Sequence, residues 1–365
     1  NTFMQPFMEG AFMTKHKNTY YLQYGGPGTE FSGYGDGVYT SKNPLGPFVY
    51  QSHNPFSYKP GGFARGAGHG ATFQDANSTF WHVSTIVIGT KNNFERRLGI
   101  WPAGIDEEGV LYSNTAYGDY PTFLPSQNKD HLKGSFSGWM LLNYNKPVSV
   151  SSTLGGFQPN YAVNEDIKTY WSAKTGNKGE WLISDLGERS TIRAIQINYA
   201  DQDVTLMGKP ENTVGHKYLI TVSDNLKEWK VIVDKSKNSK DVPHEYVELE
   251  KPVIGRYLKI ENIQMPTGKF ALSGFRVFGK GNGEAPAPVK NFVPLRVAPK
   301  TKGERRNVWF KWEQEPLAGG YVIYFGKSPN QLYGSVMVYG KNEYYLNALD
   351  RSDAYYFQIE SFNSN

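Results

Sequence analysis

The segment Met8-Glu9-Gly10-Ala11-Phe12-Met13 is followed by a polar turn at residues 15–18 and then by Thr19-Tyr20-Tyr21-Leu22-Gln23-Tyr24. Two aromatic, alternating runs joined by turn-forming residues predict a β-hairpin. Glu9 would lie at a strand end among large apolar side chains, and partial desolvation favours the protonated carboxyl group that a general acid requires. A lone Glu at a strand end is more often a solvated surface group, so both interpretations remain open on local sequence alone.

Composition favours an all-β protein. The chain has 365 residues, which predicts two or three domains, and 25 Tyr, 39 Gly and 21 Pro favour many short strands joined by tight turns over helical bundles. Exposed aromatic rings also suit sugar-binding surfaces, although most aromatic residues pack in cores.

Charge and motifs exclude several classes of protein. The net charge is +5 with no long basic run, so we expect no nucleic-acid partner. The absence of cysteine excludes disulfides and thiolate metal sites, and no stretch is apolar enough to span a bilayer. The chain begins at Asn1 without a signal-peptide pattern and within a repeating β unit, so we expect a processed, truncated or partial product.

Residues 1–125 contain strand candidates in groups of about four, which is typical of propeller blades. The candidates are residues 7–13, 19–24, 37–41, 48–51, 70–74, 79–88, 99–105 and 110–114.

The first group contains three motifs, Glu9-Gly10-Ala11-Phe12, Tyr20-Tyr21-Leu22-Gln23-Tyr24 and Thr40-Ser41-Lys42-Asn43-Pro44-Leu45-Gly46-Pro47-Phe48. With these motifs the group resembles glycoside hydrolase family 43, although Ala11 stands where the family usually has proline. It implies that Glu9 is the general acid. Phe12 and Tyr34 are the candidate substrate contacts.

The next group resembles the following blade of the same family, through Gly68-His69-Gly70-Ala71-Thr72-Phe73-Gln74-Asp75 and Trp81-His82-Val83. The resemblance implies that His69 lies near the propeller axis, at a central metal ion or its water. A structural histidine is the alternative. In Phe94-Glu95-Arg96-Arg97, the resemblance implies that Arg97, or alternatively Arg96, contacts the substrate or the carboxylates.

The match covers about a third of the chain and only the later part of a five-bladed propeller. The family uses three carboxylates, and the base and the modulating Asp are expected upstream of Asn1. Four candidates, Asp36, Asp75, Asp106 and Asp119, lie in turn contexts and fit neither missing motif.

Residues 126–136 are predicted to be a linker. Residues 137–280 contain a motif formed by Ala162, Asn164, Glu165, Thr169 and Trp171, with Asp166 among them. With this motif they resemble the discoidin, or coagulation factor 5/8 C-type, β-sandwich (a jelly roll) of carbohydrate-binding module family 32. The resemblance implies a calcium loop at Ala162, Asp166 and Thr169. Asn164 and Gly274 replace usual carboxylates, so calcium stays open. A sugar-binding aromatic residue among Phe157, Tyr199 and Trp229 is also open, and Trp229 is usually core in this fold.

A linker at 281–288 precedes residues 289–365. Their ending, Asn347-Ala348-Leu349 through Tyr355-Tyr356-Phe357-Gln358-Ile359, resembles a fibronectin type III β-sandwich. We expect this segment to be a spacer or brace.

The resemblances together imply an exported bacterial glycoside hydrolase, periplasmic, extracellular or on the cell surface. The expected activity is inverting exo-β-xylosidase or α-L-arabinofuranosidase on polysaccharide or oligosaccharide substrates. No cofactor is expected to be required, with structural calcium in the propeller axis or discoidin loop as an option. The upstream blades, in the same polypeptide or a cleaved fragment, are the expected partner. The alternative is a non-catalytic carbohydrate-binding or adhesion protein with a propeller scaffold.

Overall fold

The computed structural model describes residues 7–29, 31, 33–123, 136–205, 214–297, 306–349 and 353–365. In these ranges the regular structure is β-strand, apart from one 3-10 turn at Pro159–Val163. The predicted all-β class is confirmed. None of the helical structure in these ranges is long and apolar enough to cross a bilayer.

The described residues form 23 strands, which are numbered in chain order. They are β1 Glu9–His16, β2 Thr19–Gly26, β3 Gly35–Ser41, β4 Val49–Tyr50, β5 Ser57–Tyr58, β6 Arg65–Gln74, β7 Phe80–Val87, β8 Arg96–Ile105, β9 Leu111–Ser113, β10 Met140–Leu141, β11 Val148–Val150, β12 Trp171–Ser172, β13 Trp181–Tyr199, β14 Lys217–Ser223, β15 Lys230–Asp234, β16 His244–Gln264, β17 Ala271–Lys280, β18 Val293–Val297, β19 Arg306–Lys311, β20 Gly320–Gly326, β21 Gly334–Tyr339, β22 Glu343–Leu349 and β23 Tyr356–Phe362.

The described residues divide into two compact units. The first unit takes residues from 1–88, 93–137 and 285–363, and the second from 89–92, 138–284 and 364–365. The segment with the fibronectin-like ending therefore belongs to the same unit as the segment with Glu9.

The first sheet of the first unit has the order β1-β2-β3-β4, with β5 paired to β3. β1 continues to His16, three residues beyond the predicted end, and pairs with Thr19 across a two-residue turn. Lys17 in this turn has φ +49°, as the primed turns of tight hairpins require.

The second sheet has the consecutive order β6-β7-β8-β9. β6 starts at Arg65, earlier than predicted, because its first half is irregular, with register shifts on both sides of Gly68. Such bulges bend a strand and re-aim its side chains. His69 lies in this irregular segment, between Gly68 and Ala71.

Two three-stranded sheets, β18-β19-β22 and β21-β20-β23, complete the first unit. Phe310, Ile323 and Leu346 are buried in one apolar cluster that also contains Tyr58 of β5. Tyr333 stacks on Tyr112, with ring centroids 4.1 Å apart. The shared cluster explains why the fibronectin-like segment packs with the first two sheets.

The second unit is one eight-stranded sheet system with the order β10-β17-β13-β16-β14-β15, in which β11 pairs with β13 and β12 with β17. The alternating sequence of β13 places Ile195 and Ile197 in the core, with Trp171 and Phe275. All four side chains are fully buried.

Candidate functional site

Glu9 lies at the start of β1, where the pairing with β2 shifts register between Glu9 and Phe12. The next residue, Gly10, has φ +61°, and a Cβ atom there would lie 2.6 Å from the ring of His69. Glycine is therefore required both by the backbone conformation and by the close approach of His69. The Glu9 side chain is 32% exposed.

Tyr34 holds one oxygen of this carboxyl group. Its hydroxyl donates a hydrogen bond to Glu9 Oε1 at 2.9 Å, and its side chain is fully buried. Burial, together with the hydrogen bond to Glu9, raises the pKa of Tyr34 far above its usual value. The ring is enclosed and its hydroxyl is directed to Glu9, so the structure favours a contact of Tyr34 with Glu9 over the expected contact with substrate.

His69 approaches the same oxygen from β6. Its Nδ1 lies 3.6 Å from Glu9 Oε1, too far for a hydrogen bond, and its side chain is 49% exposed. The backbone of His69 has φ +54°, within the bulged part of the strand. The structure therefore brings Glu9, Tyr34 and His69 together from three strands or their ends.

The two arginines at the start of β8, Arg96 and Arg97, differ in solvent exposure. Arg96 is half-buried, and its charge acts on the Tyr34 hydroxyl, where it opposes the rise in pKa that burial and Glu9 cause. Arg97 is exposed, lies 4.0 Å from Glu95 and donates to the carbonyl of Arg96. Alternate strand residues point to opposite faces, so only one of the two arginines can face the site, and the lower exposure of Arg96 favours Arg96 over the first-choice Arg97.

Phe12, the other candidate substrate contact, is 39% exposed on β1. It lies on the far side of the register shift from Glu9. Its ring is accessible, as a substrate contact requires.

A buried polar chain lies behind the site. Asp36 Oδ2 is 2.8 Å from His82 Nε2, His82 Nδ1 is 2.9 Å from Thr72 Oγ1, and Thr72 donates to Gln23 Oε1. The prediction that Asp36 lies in a turn is wrong, because Asp36 is a fully buried residue of β3. The flanking glycines Gly35 and Gly37 are residues typical of a turn, and the segment from Gly35 to Ser41 has no alternation that would have indicated the start of the strand.

The other three aspartates follow the prediction of turn positions. Asp75 Oδ1 accepts hydrogen bonds from two backbone amides of its own turn, and Asp106 Oδ1 does the same. Asp119 follows β9 and forms a buried ion pair with Lys59 at 3.2 Å. All three stabilise the scaffold.

His69 and Glu9 do not by themselves make a metal site. Within the described ranges, no group of three or more His, Asp or Glu side chains converges to hold an ion. A central ion would need further ligands from outside these groups.

The loop of the second unit that resembles a calcium site uses its oxygens internally. Asn164 Nδ2 donates to Thr169 Oγ1, and Thr169 donates to the carbonyl of Asp166. Asp166 Oδ1 accepts from the Lys168 amide, and Ala162 is buried. Calcium takes six to eight oxygen ligands, so this donor set does not fit the ion.

The guanidinium group of Arg276, on β17, binds this loop through Glu165. Arg276 donates from Nε and Nη2 to the two oxygens of Glu165, both at 2.9 Å, and from Nη1 to Gln196. The two side chains are 1% and 2% exposed. Glu165 has φ +59°, a conformation that side chains rarely adopt, so its carboxylate is held there against backbone strain.

The three candidate aromatic residues of the second unit are placed differently. Phe157 stacks on Tyr170 and Tyr199 is buried. Trp229 is only half-buried, which corrects its expected core position, because it lines an open cavity of about 310 Å³. Asp224, Asn225 and Glu228 are among the other lining residues.

Comparisons with known proteins identify one part of the chain. A profile of the F5/8 type C domain matches residues 147–274. No curated protein sequence matches the chain.

Among solved structures, one titled glycoside hydrolase is 21% identical, with a TM-score of 0.41, and the match covers 76% of this chain and 61% of that chain. The chain therefore spans less than two thirds of that protein. The family 32 carbohydrate-binding module of Clostridium perfringens NanJ, in complex with galactose, is 20% identical, with a TM-score of 0.30, over 36% of this chain and 92% of the module. An endo-1,4-β-xylanase from Bacteroides thetaiotaomicron is 31% identical, with a TM-score of 0.27, over 29% of this chain and 37% of that chain. From the profile match, residues 147–274 form an F5/8 type C domain of the discoidin type.

Proposed function

We propose that the protein is an exported glycoside hydrolase that acts on side chains of plant-type polysaccharides, as an exo-β-xylosidase or α-L-arabinofuranosidase. Glu9 is the general acid. The observation that carries the proposal is the surroundings of Glu9, whose side chain is one-third exposed while Oε1 accepts from the buried Tyr34 hydroxyl. A carboxyl group that is both fixed and accessible can deliver a proton to a leaving-group oxygen.

The inverting mechanism implied by the family resemblance needs a second carboxylate, the base, on the opposite face of the sugar. Asp36 does not suit this role, because it is fully buried and bonded to His82. We therefore propose that the base and the modulating Asp belong to propeller blades upstream of Asn1. Arg96 and Phe12 are the proposed substrate contacts, since Arg96 lies within electrostatic range of Tyr34 and Phe12 is accessible.

The F5/8 type C domain supports a carbohydrate ligand for the second unit. We propose that it binds glycan at the cavity lined by Trp229, where an aromatic ring lies beside acid and amide groups. Aromatic faces pack on the apolar faces of sugars, and polar groups fix their hydroxyls.

The alternative is a non-catalytic carbohydrate-binding protein. Inverting hydrolysis needs two accessible carboxylates. Asp36 and Glu9 are the two carboxylates of the described residues whose charges raise the pKa of Tyr34, and Asp36 is fully buried. Only Glu9 is accessible, which favours the non-catalytic alternative.

The test compares two classes of substrate with Glu9→Gln in the protein that includes the upstream blades proposed to supply the base. Alkyl xylosides and arabinosides need protonation of the leaving group, whereas aryl glycosides with acidic phenols do not. We expect Glu9→Gln to lower hydrolysis of the alkyl glycosides by about two to four orders of magnitude and that of the activated aryl glycosides far less.

Glu107→Gln is the matched control, because Glu107 is an exposed carboxylate of the turn after β8. It should leave both rates unchanged. Equal losses on both substrate classes would overturn the assignment of Glu9. No hydrolysis of either class by the wild-type protein with those blades would refute catalysis and favour the alternative.

A further inference from the structure

We infer that Tyr34 is a positioning residue that assigns the transferable proton to Glu9 Oε2. The inference rests on the proposed role of Glu9 as general acid. It concerns the one hydrogen bond that Tyr34 makes to Oε1, at 2.9 Å.

The hydrogen-bond chemistry gives a direction to this contact. A buried phenol must place its proton on an acceptor, and within the described residues Glu9 Oε1 is the acceptor of the Tyr34 hydroxyl. The carbonyl oxygen of a carboxylic acid accepts better than its hydroxyl oxygen. When Glu9 is protonated, Oε1 is therefore the carbonyl oxygen and Oε2 carries the proton.

The surroundings fix Tyr34 itself. Its ring is fully enclosed, and a Cβ atom at Gly68 would lie 2.8 Å from it. The backbone amide of Tyr34 donates to the carbonyl of Phe31 at 3.1 Å. Because the side chain of Tyr34 is held on both sides, its hydroxyl keeps a fixed position and fixes the orientation of the Glu9 carboxyl group. A mobile surface tyrosine would not.

The second contact of Glu9 is on the same oxygen. His69 Nδ1 is 3.6 Å from Oε1. Both neighbours thus lie at Oε1, and in the described part of the chain Oε2 accepts no hydrogen bond from a side chain. The acidic oxygen is the one left for a substrate.

The kinetic test uses Tyr34→Phe, which removes the hydroxyl and keeps the ring. We expect hydrolysis of alkyl glycosides to fall about ten- to a hundredfold with KM unchanged, because the Tyr34 hydroxyl stabilises the carboxylate charge that develops on Glu9 as the proton leaves, and a hydrogen bond to a charged group contributes about this much. In the Glu9→Gln background the same substitution should cost nothing further, because the proton that it positions is absent.

Tyr21→Phe is the control for loss of a buried tyrosine hydroxyl. Tyr21 is also buried in the same sheet, and its hydroxyl donates to the carbonyl of Gly109 at 3.0 Å. It should leave the preference between leaving groups unchanged. If Tyr34→Phe behaves like Tyr21→Phe while Glu9→Gln still shows its selective loss, the inference fails and the proposed function stands.

A second measurement works without turnover. Tyrosine labelled with ¹³C at Cζ reports ionisation of each phenol by NMR, and the spectrum of Tyr34→Phe identifies the Tyr34 signal. Glu9→Gln should lower the pKa of Tyr34, because the carboxylate raises it through the hydrogen bond and through charge. Glu107→Gln should not. An unchanged titration in Glu9→Gln would show that the contact is not formed and overturn the inference.

Discussion

Replacing Arg276 by Met should destabilise the second unit strongly. Arg276 and Glu165 form two parallel hydrogen bonds of 2.9 Å with side chains that are 1% and 2% exposed, so water screens the pair very little. Removing one partner of a buried pair costs about 3–5 kcal/mol, since the remaining charge loses its counter-charge inside the protein. At roughly 3 °C for each kcal/mol, we expect the unfolding midpoint of this unit to fall by about 10–15 °C.

Arg256→Met is the matched control within the same unit. Arg256 also makes a bidentate pair, with Asp185 at 2.8 and 2.9 Å, but these side chains are 39% and 22% exposed. Such a pair contributes about 0–1 kcal/mol because solvent screens it. The two variants therefore differ in burial and share the hydrogen-bond geometry.

The double variant Arg276→Met with Glu165→Gln separates the two causes of a loss. If an uncompensated buried charge is responsible, neutralising Glu165 should recover most of the stability, as replacement of whole buried pairs is often nearly neutral. Hydrogen exchange measured on peptides of β13 and β17 reports the free energy of unfolding of this unit in the full chain. Equal losses for Arg256→Met and Arg276→Met, or no recovery in the double variant, would refute the reasoning.

Two further predictions concern metal and pH. Neither EDTA nor added calcium should change exchange in β17, because Asn164, Asp166 and Thr169 already use their oxygens in the loop; calcium-dependent protection would contradict this. Burial, and secondarily Lys327, lowers the pKa of His53 from 6.5 to about 4. As the pH falls, the unfolded chain therefore binds this proton before the folded chain does. The contribution of His53 to the stability of the first unit is full above pH 6.5 and falls towards pH 4. We expect a loss of about 3 kcal/mol from this group, measured by exchange in β7, and a weaker pH dependence in His53→Gln; an identical dependence would exclude His53 as its source.

Much of the local structure could be predicted from the sequence. The sequence predicted β2 and β7 within two residues of their bounds, and in β2 the buried and partly exposed residues alternate with the period of two that a strand requires. The discoidin resemblance likewise located the domain that the family profile matches. The failures are at irregular positions: β6 starts early at a bulge, and glycines on both sides of Asp36 concealed a strand.

The sequence predicted which residues belong to the candidate site but not which of them contact one another. Glu9 and His69 stand out as residues in short motifs, but their 3.6 Å contact depends on two bulges that no local pattern predicts. The sequence indicated Tyr34 as an aromatic residue near the site. Its contact with Glu9 depends on the burial of its ring, which packs against Gly68 of β6.

The all-β class, the strand order within hairpins and the presence of an F5/8 type C domain follow from the sequence, because they depend on residues that are close in the chain or on a family pattern. The pairs of groups that share a proton, a charge or a core are formed only in the folded protein. Glu165 meets Arg276 across 111 positions, and Asp36 meets His82 across 46. Such pairings follow from sheet register and bulges over long separations, where small shifts in backbone position decide which side chains come into contact.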